Sequence, residues 1–220
     1  MTRILLVRHG ETSANIVASL DCDTPGPDLT ELGQEQARSL VPRFATVELE
    51  RIFASTMVRT QQTAAPLATQ RSMPVTSLDE FREIEGGELA GQVGYAVLAQ
   101  YFQVVAPWAM GELDRCIPGA EDGHAFFRRF DAGLARATEG VTGTVAVFSH
   151  GAAIRVWAAN RCTNIPGTWV YERDLRNTGS VLVERMADGT FELIEWHEDP
   201  AGGPPVTNPR AVDPLGKAVR

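Results

Sequence analysis

The sequence predicts an α/β domain with a ligand edge shared by two similar strands, and three observations carry that prediction. The first is the opening stretch, Leu5-Leu6-Val7-Arg8-His9-Gly10-Glu11-Thr12-Ser13-Ala14-Asn15. An apolar run over residues 4–7 stops at Arg-His-Gly and a polar turn follows, which reads as a buried strand rather than a helix. The second is Thr144-Val145-Ala146-Val147-Phe148-Ser149-His150-Gly151, which repeats that logic and leads into a helix. The third is Arg59, in the first turn or so of another helix that begins at a strand's carboxyl end. Open α/β sheets bind ligands beyond the carboxyl ends of their strands, so all three fall at one edge.

Bulk properties bound the rest. A chain of 220 residues holds one good-sized core, expected here as a single domain over residues 1–197. The formal charge of −8 argues against a general nucleic-acid or anionic-membrane binder, which would want a basic face. A local cluster of Arg and His can still oppose that global sign and admit a small anion. Cys22, Cys116 and Cys162 are odd in number and follow no paired spacing, so solitary thiols are expected rather than a disulfide framework or a zinc site. Met-Thr-Arg runs straight into the first strand, so no signal peptide is expected. No apolar stretch approaches the ~20 residues of a membrane span. A cytoplasmic location is the expectation.

In chain order, residues 16–28 crowd Asp21, Asp23, Pro25, Gly26 and Pro27 near their end and read as loop. Thr30 caps a helix through about residue 44, with Leu32, Ala37, Leu40 and Val41 as its apolar stripe. Residues 51–54 are a short strand. Ser55 is a natural N-cap for the helix carrying Arg59-Thr60-Gln61-Gln62-Thr63-Ala64, which stops near residue 69. Residues 74–78 are a third strand. Residues 79–88 hold five carboxylates and two glycines, a flexible acidic loop from which a general acid is easily recruited.

Residues 94–110 place Tyr95, Leu98, Tyr101, Phe102, Val105 and Trp108 at roughly helical spacing between two Gly/Pro-marked turns. They read as an inserted helical flap, about 92–121, over the ligand edge, and its aromatics hint at an apolar or sugar-bearing leaving group. Residues 121–139 form a long helix with Phe126, Phe127, Phe130, Leu134 and Ala137 inward, and a further helix over 152–160 follows His150. Strands over 180–185 and 191–196 are joined by the hairpin signal Asp188-Gly189 and lie at a sheet edge. Residues 198–220, with five prolines and three glycines, are expected to be an irregular or disordered tail.

Two histidines, two arginines, an asparagine and an acidic loop suit phosphoryl transfer, where catalysis is mostly positioning and charge stabilisation. Arg8 and Arg59 can fork onto the equatorial oxygens, while Asn15 and His150 donate further hydrogen bonds. His9 is left to attack phosphorus in line, giving a covalent phosphohistidine. A carboxyl of the acidic loop then protonates the leaving alkoxide. Neither a metal nor another cofactor is called for, because the arginines and histidines do that electrostatic work. The expected partner is a small phosphate ester, with a homodimer admitted and neither nucleic acid nor membrane involved.

Leu6-Val7-Arg8-His9-Gly10-Glu11-Thr12 with Asn15 resembles the signature of the histidine phosphatase superfamily, the phosphoglycerate mutase-like family. The likeness continues through residues 29–37 and 55–64. It resumes at Phe81-Arg82-Glu83-Ile84-Glu85, at Phe148-Ser149-His150-Gly151 with Ile154-Arg155, and at Asn177-Thr178-Gly179-Ser180. The resemblance implies a three-layer α/β/α sandwich around a mostly parallel sheet. It implies His9 as nucleophile, Arg8, Arg59 and His150 as phosphate pocket, Glu83 as proton donor and Asn15 as support for phosphate or substrate. The residues alone leave Glu80, Glu85 and Glu88 open beside Glu83.

Where the family's mutases carry a basic and aromatic pattern after Asn15, this chain reads Ile16-Val17-Ala18-Ser19-Leu20-Asp21-Cys22-Asp23. That departure favours a phosphatase, a phosphoric monoester hydrolase of the histidine acid phosphatase type. The alternatives are a mutase-type phosphotransferase primed by a bisphosphate, and then a non-catalytic phospho-ligand sensor.

Overall fold

The middle of the sheet follows from two stretches, residues 4–8 and 144–149, that are buried on both sides. A computed structural model of the protein describes residues 1–203. Among them, β1 (Thr2–Arg8), β2 (Leu49–Ser55), β3 (Val75–Leu78), β4 (Thr144–Ser149), β5 (Ser180–Arg185) and β6 (Phe191–His197) form one sheet in the order β3-β2-β4-β1-β5-β6. Pairing is parallel from β3 through β1, while β5 runs antiparallel to both β1 and β6. The Asp188-Gly189 hairpin therefore sits at the sheet edge, as its turn chemistry predicts.

Alternate residues of the strands serve opposite faces. Leu5 and Val7 of β1, with Ala146 and Phe148 of β4, pack against Leu40 of α2 (Glu31–Arg43) and Ala64 and Leu67 of α3 (Val58–Arg71). Ile4, Leu6, Val145 and Val147 face the other layer. There they meet Leu98 of α4 (Tyr95–Val105), Phe126 and Phe130 of α5 (Gly123–Thr138), and Trp157 of α6 (Gly151–Arg161). The result is the three-layer α/β/α sandwich. Residues 151–159 of α6 are all buried, Arg155 among them, so this helix is enclosed around its whole circumference.

Local chemistry moved several boundaries. A short α1 (Ser13–Val17) interrupts the expected loop, because Asn15 and Thr12 close a capping pair at its start. Ser55 ends β2 instead of capping α3; Met57 is the N-cap, and α3 runs on to Arg71. A four-residue α7 (Trp169–Glu172) is too short to leave a periodic signal. The flap is helical as expected, yet Leu98, Tyr101, Phe102, Val105 and Trp108 are buried in the main core. Tyr101, Phe102 and Trp108 are packing, and the leaving-group hint drawn from them fails; Tyr95 is exposed. Of the expected tail, Glu198 accepts from the Arg176 amide and the buried Ala201 donates to Thr178 Oγ1 at 3.1 Å. Residues 204–220 lie outside the described residues. Among the described residues no helix is long and apolar enough to cross a membrane.

The ligand edge is tightened by glycine contact. A Cβ on Gly33, in the first turn of α2, would lie 2.1 Å from the Glu11 carbonyl oxygen, and one on Gly10 would lie 2.6 Å from that of Gly33. Alanine at an open helical site gains up to ~1 kcal/mol over glycine, but here the overlap with backbone decides the sign. Gly33→Ala is expected to destabilise the fold by about 2 kcal/mol, read as a lower urea midpoint at unchanged slope.

Candidate active site

Parallel register brings the two His-Gly ends together. Arg8 lies opposite Ser149, and the His9 amide donates to the Ser149 carbonyl at 3.1 Å. The rings of His9 and His150 consequently stand 5.3 Å apart, edge to face. Arg8, His9, Thr12, Ala14, Asn15, Ser19, Asp21, Arg59 and Glu83 line one small cleft at this edge. All six residues expected from the sequence are thus gathered, with His150 fully buried against His9. A wider groove, lined by Met1, Arg3, Glu48 and Glu184 among others, contains none of them.

The hydrogen bonds define the tautomer of His9. Its Nδ1 is 2.7 Å from the Gly10 carbonyl oxygen, which only accepts, so Nδ1 carries the proton and Nε2 keeps a lone pair. Burial, then the charges of Arg59 and Arg8, hold the imidazole well below its usual pKa and therefore neutral. His150 is driven down in the same way, by burial first and then Arg59. Its Nε2 is 3.0 Å from Ser55 Oγ, which already accepts from the Met57 amide. The serine hydroxyl can donate to Nε2, an arrangement that leaves Nδ1–H as a donor, and Nδ1 has no partner among the described residues.

The cations are buried and held from behind. Arg8 Nη1 donates to the Leu175 carbonyl at 2.8 Å. Arg59 is 2% exposed; Nη1 donates to Asp21 Oδ2 at 3.0 Å and Nη2 to the Asp21 carbonyl at 3.1 Å. Burial lowers the Arg59 pKa, and Asp21 opposes that. Asn15 Oδ1 accepts from the Thr12 amide at 3.0 Å and from Asn177 Nδ2 at 3.1 Å. With the oxygen committed, the Asn15 amide nitrogen is the group left to donate into the cleft.

The acidic segment is a correction to the expected flexible loop. Five successive carbonyls, those of residues 80–84, accept from buried or half-buried side chains. Arg129 of α5 takes those of Glu80, Arg82 and Glu83; Ser149 takes that of Phe81 and Tyr101 that of Ile84. This pins irregular backbone as firmly as a ladder would. Glu83, 2% exposed, points to the start of α6: Oε1 accepts from the Ile84 and Ala153 amides and Oε2 from that of Ala152. Burial raises its pKa above the ordinary value, and the three amides only partly oppose it. Glu80 pairs with Arg136, Glu85 accepts from the Glu121 amide, and Glu88 is exposed. Only Glu83 among them lines the cleft.

Sequence reasoning missed Asp21, Ser55 and Asn177 as parts of the site. Ser55 was read as a cap, and Asp21 stood in a loop with no periodicity. Asn177 lay inside the Asn-Thr-Gly-Ser stretch, whose match to the family was the available signal.

The family description "Histidine phosphatase superfamily (branch 1)" matches residues 4–199, which contain every one of these side chains. The chain belongs to the histidine phosphatase superfamily. It is 32% identical over 223 residues to PE-PGRS family protein PE_PGRS11 of Mycobacterium tuberculosis, covering 94% of this chain but only 38% of that one. It is 30% identical over 138 residues to the adenosylcobalamin/alpha-ribazole phosphatase of Escherichia coli, covering 62% of this chain and 67% of the relative. Among solved structures, the mycobacterial glucosyl-3-phosphoglycerate phosphatase Rv2419c in complex with VO3 aligns with a TM-score of 0.74 at 20% identity. That alignment covers 89% of this chain and 98% of the other, and it shows the shared fold.

If Glu83 protonates the leaving oxygen, its loss should scale with how badly that oxygen needs a proton. Glu83→Gln is expected to slow hydrolysis of alkyl phosphates by about 10²-fold or more and that of a nitrophenyl ester far less. Equal losses on both, measured as kcat, would contradict the assignment.

Proposed function

We propose that the protein is a metal-independent phosphomonoesterase that hydrolyses a small phosphorylated metabolite through a phosphohistidine on His9. The observation that carries this reading is the state of His9: a buried, neutral imidazole with Nδ1–H held by the Gly10 carbonyl and Nε2 left as nucleophile beside Arg8 and Arg59.

In the first half-reaction Nε2 forms a bond to phosphorus as the ester P–O bond breaks, and Glu83 gives its proton to the departing alkoxide. The guanidiniums of Arg8 and Arg59, His150 Nδ1–H and the Asn15 amide take the charge gathering on the equatorial oxygens. In the second half-reaction the Glu83 carboxylate takes a proton from water, that water attacks phosphorus, and the P–N bond breaks to release phosphate. Glu83 and His9 return to their starting forms.

The pKa shifts serve this sequence. At their ordinary values of 4.5 and 6.5, a carboxylic acid loses its proton before an imidazole does, so protonated Glu83 and neutral His9 would seldom coexist. Burial raises the one and lowers the other, which brings the two required forms into the same pH range. This is the chemistry of the histidine acid phosphatase type, and we assign the chain to it as a phosphoric monoester hydrolase. The phosphatase activity named for the Escherichia coli relative supports the reading. We place the enzyme in the cytoplasm, alone or as a homodimer; its three free thiols support a reducing compartment.

His9→Ala is expected to abolish hydrolysis of a generic phosphomonoester while leaving the far-ultraviolet dichroism and melting transition in place. Wild-type enzyme quenched during turnover should carry a phosphoryl group that is labile in acid and stable in alkali. Full residual activity in the variant would sink the nucleophile. The pH profile of kcat/KM should rise through the lowered His9 pKa and fall through the raised Glu83 pKa, and Glu83→Gln should lose the falling limb. With 3-phosphoglycerate, phosphate release should outpace isomerisation even when catalytic 2,3-bisphosphoglycerate is present; the reverse would favour the mutase.

A further inference from the structure

One charge on the cleft wall is not used by the steps above. Asp21 stands beside Arg59, and its neighbours in the chain keep it there. Leu20 and Cys22 on either side are buried in the core. The Leu20 amide donates to the Gln92 carbonyl, the Gly91 amide to the Leu20 carbonyl, and the Asp21 amide to the Ser19 carbonyl. With both neighbours turned inward, the Asp21 carboxylate meets Arg59 Nη1 at 3.0 Å while 21% of its side chain stays exposed. Gly26 closes the arginine from another side: a Cβ there would lie 2.4 Å from Nη1. The carboxylate is built into the phosphate pocket, not a passing surface charge.

The wall around it is unbalanced. Among the described residues lining the cleft the cations are Arg8 and Arg59, both needed by the phosphoryl oxygens, and the carboxylates are Asp21 and Glu83. The remaining lining near Asp21 is Ala14 and Ser19. The adjoining segments, joined by Gly94 N–H to the Ala18 carbonyl and by the Ser19 bridge to Val93, expose Ile16, Val17, Val93 and Tyr95. An alcohol portion leaving the phosphate here passes apolar groups, a hydroxyl and a fixed carboxylate. A hydroxyl or ammonium on it finds an acceptor; a second anionic group finds repulsion and, among the described residues lining the cleft, no cation beyond Arg8 and Arg59.

We propose that Asp21 is a specificity-determining residue that selects phosphate esters with an uncharged or cationic alcohol portion and rejects those carrying a second anionic group close to the phosphate. The inference rests on the phosphatase reading and names its substrate class.

Glycerol phosphate and 3-phosphoglycerate are the decisive pair, since they differ in a hydroxymethyl against a carboxylate on similar carbon chains. Wild-type enzyme should hydrolyse glycerol phosphate with the higher kcat/KM. Asp21→Asn keeps an oxygen that can accept from Arg59 and removes the charge. Any change it makes through Arg59 is common to both esters, so the quantity read is their ratio: kcat/KM for 3-phosphoglycerate relative to glycerol phosphate should rise about tenfold, the range expected of one unit charge at short distance near a protein surface. If Asp21→Asn fails to fold, Asp21→Ser is read in its place.

Calorimetric binding of both esters to His9→Ala and to His9→Ala with Asp21→Asn gives the same comparison without turnover. Retained discrimination in binding with no hydrolysis by wild type would refute the phosphatase reading and leave the role of Asp21 supported. Equal effects on both esters, no effect on either, or no binding of either to His9→Ala would overturn the proposal.

Discussion

The parallel pairing of β1 with β4 is the constraint on which the rest of the site depends. It sets Arg8 opposite Ser149, so both strands end at the same level and the two following histidines meet. A slip of one residue would exchange the two faces of a strand. Ile4 and Leu6 would then turn to the α2–α3 layer, and Leu5 and Val7 to the layer of α4–α6. Because residues 4–8 of β1 and all of β4 are buried on both faces, that exchange is opposed along most of the pair. The register, and with it the distance between the imidazoles, is thus held by core packing remote from the chemistry.

Burial at this edge then sets the electrostatics. Two guanidiniums and two imidazoles in a dry corner disfavour any further positive charge, which is why both rings are pushed toward their neutral forms. The same dryness disfavours negative charge on Glu83, although the first amides of α6 and Arg59 favour it. One physical cause therefore moves an acid up and a base down. Backbone carbonyls and Asp21 offset the burial of the guanidiniums, and Asp21 does so from within the cleft, where it also meets whatever is esterified to the phosphate.

The strands ending in His-Gly were legible because a doubly covered parallel strand must read as a continuous apolar run. Arg59 was legible as part of a helix start, and the three-layer sandwich through the family resemblance. What the chain hid were interactions between distant segments. Residues 79–88 look loose in sequence, since their rigidity comes from Arg129, Tyr101 and Ser149. Periodicity found the helix of residues 95–105 but could not say that Tyr101 and Phe102 face the core instead of the ligand. Asp21 gave no local sign, because its meaning lies in an arginine that follows a helix, a strand and a turn later.

The central claim is that the fold holds His9 neutral, protonated on Nδ1, with Nε2 bare toward the cleft. Nitrogen-15 spectra of ring-labelled enzyme across neutral pH read this directly, once His9 is assigned by substitution. The account predicts a His9 signal pair with protonated Nδ1 and unprotonated Nε2 that persists below the pH at which a free imidazole would charge. An imidazolium at neutral pH, or the proton on Nε2, would contradict it.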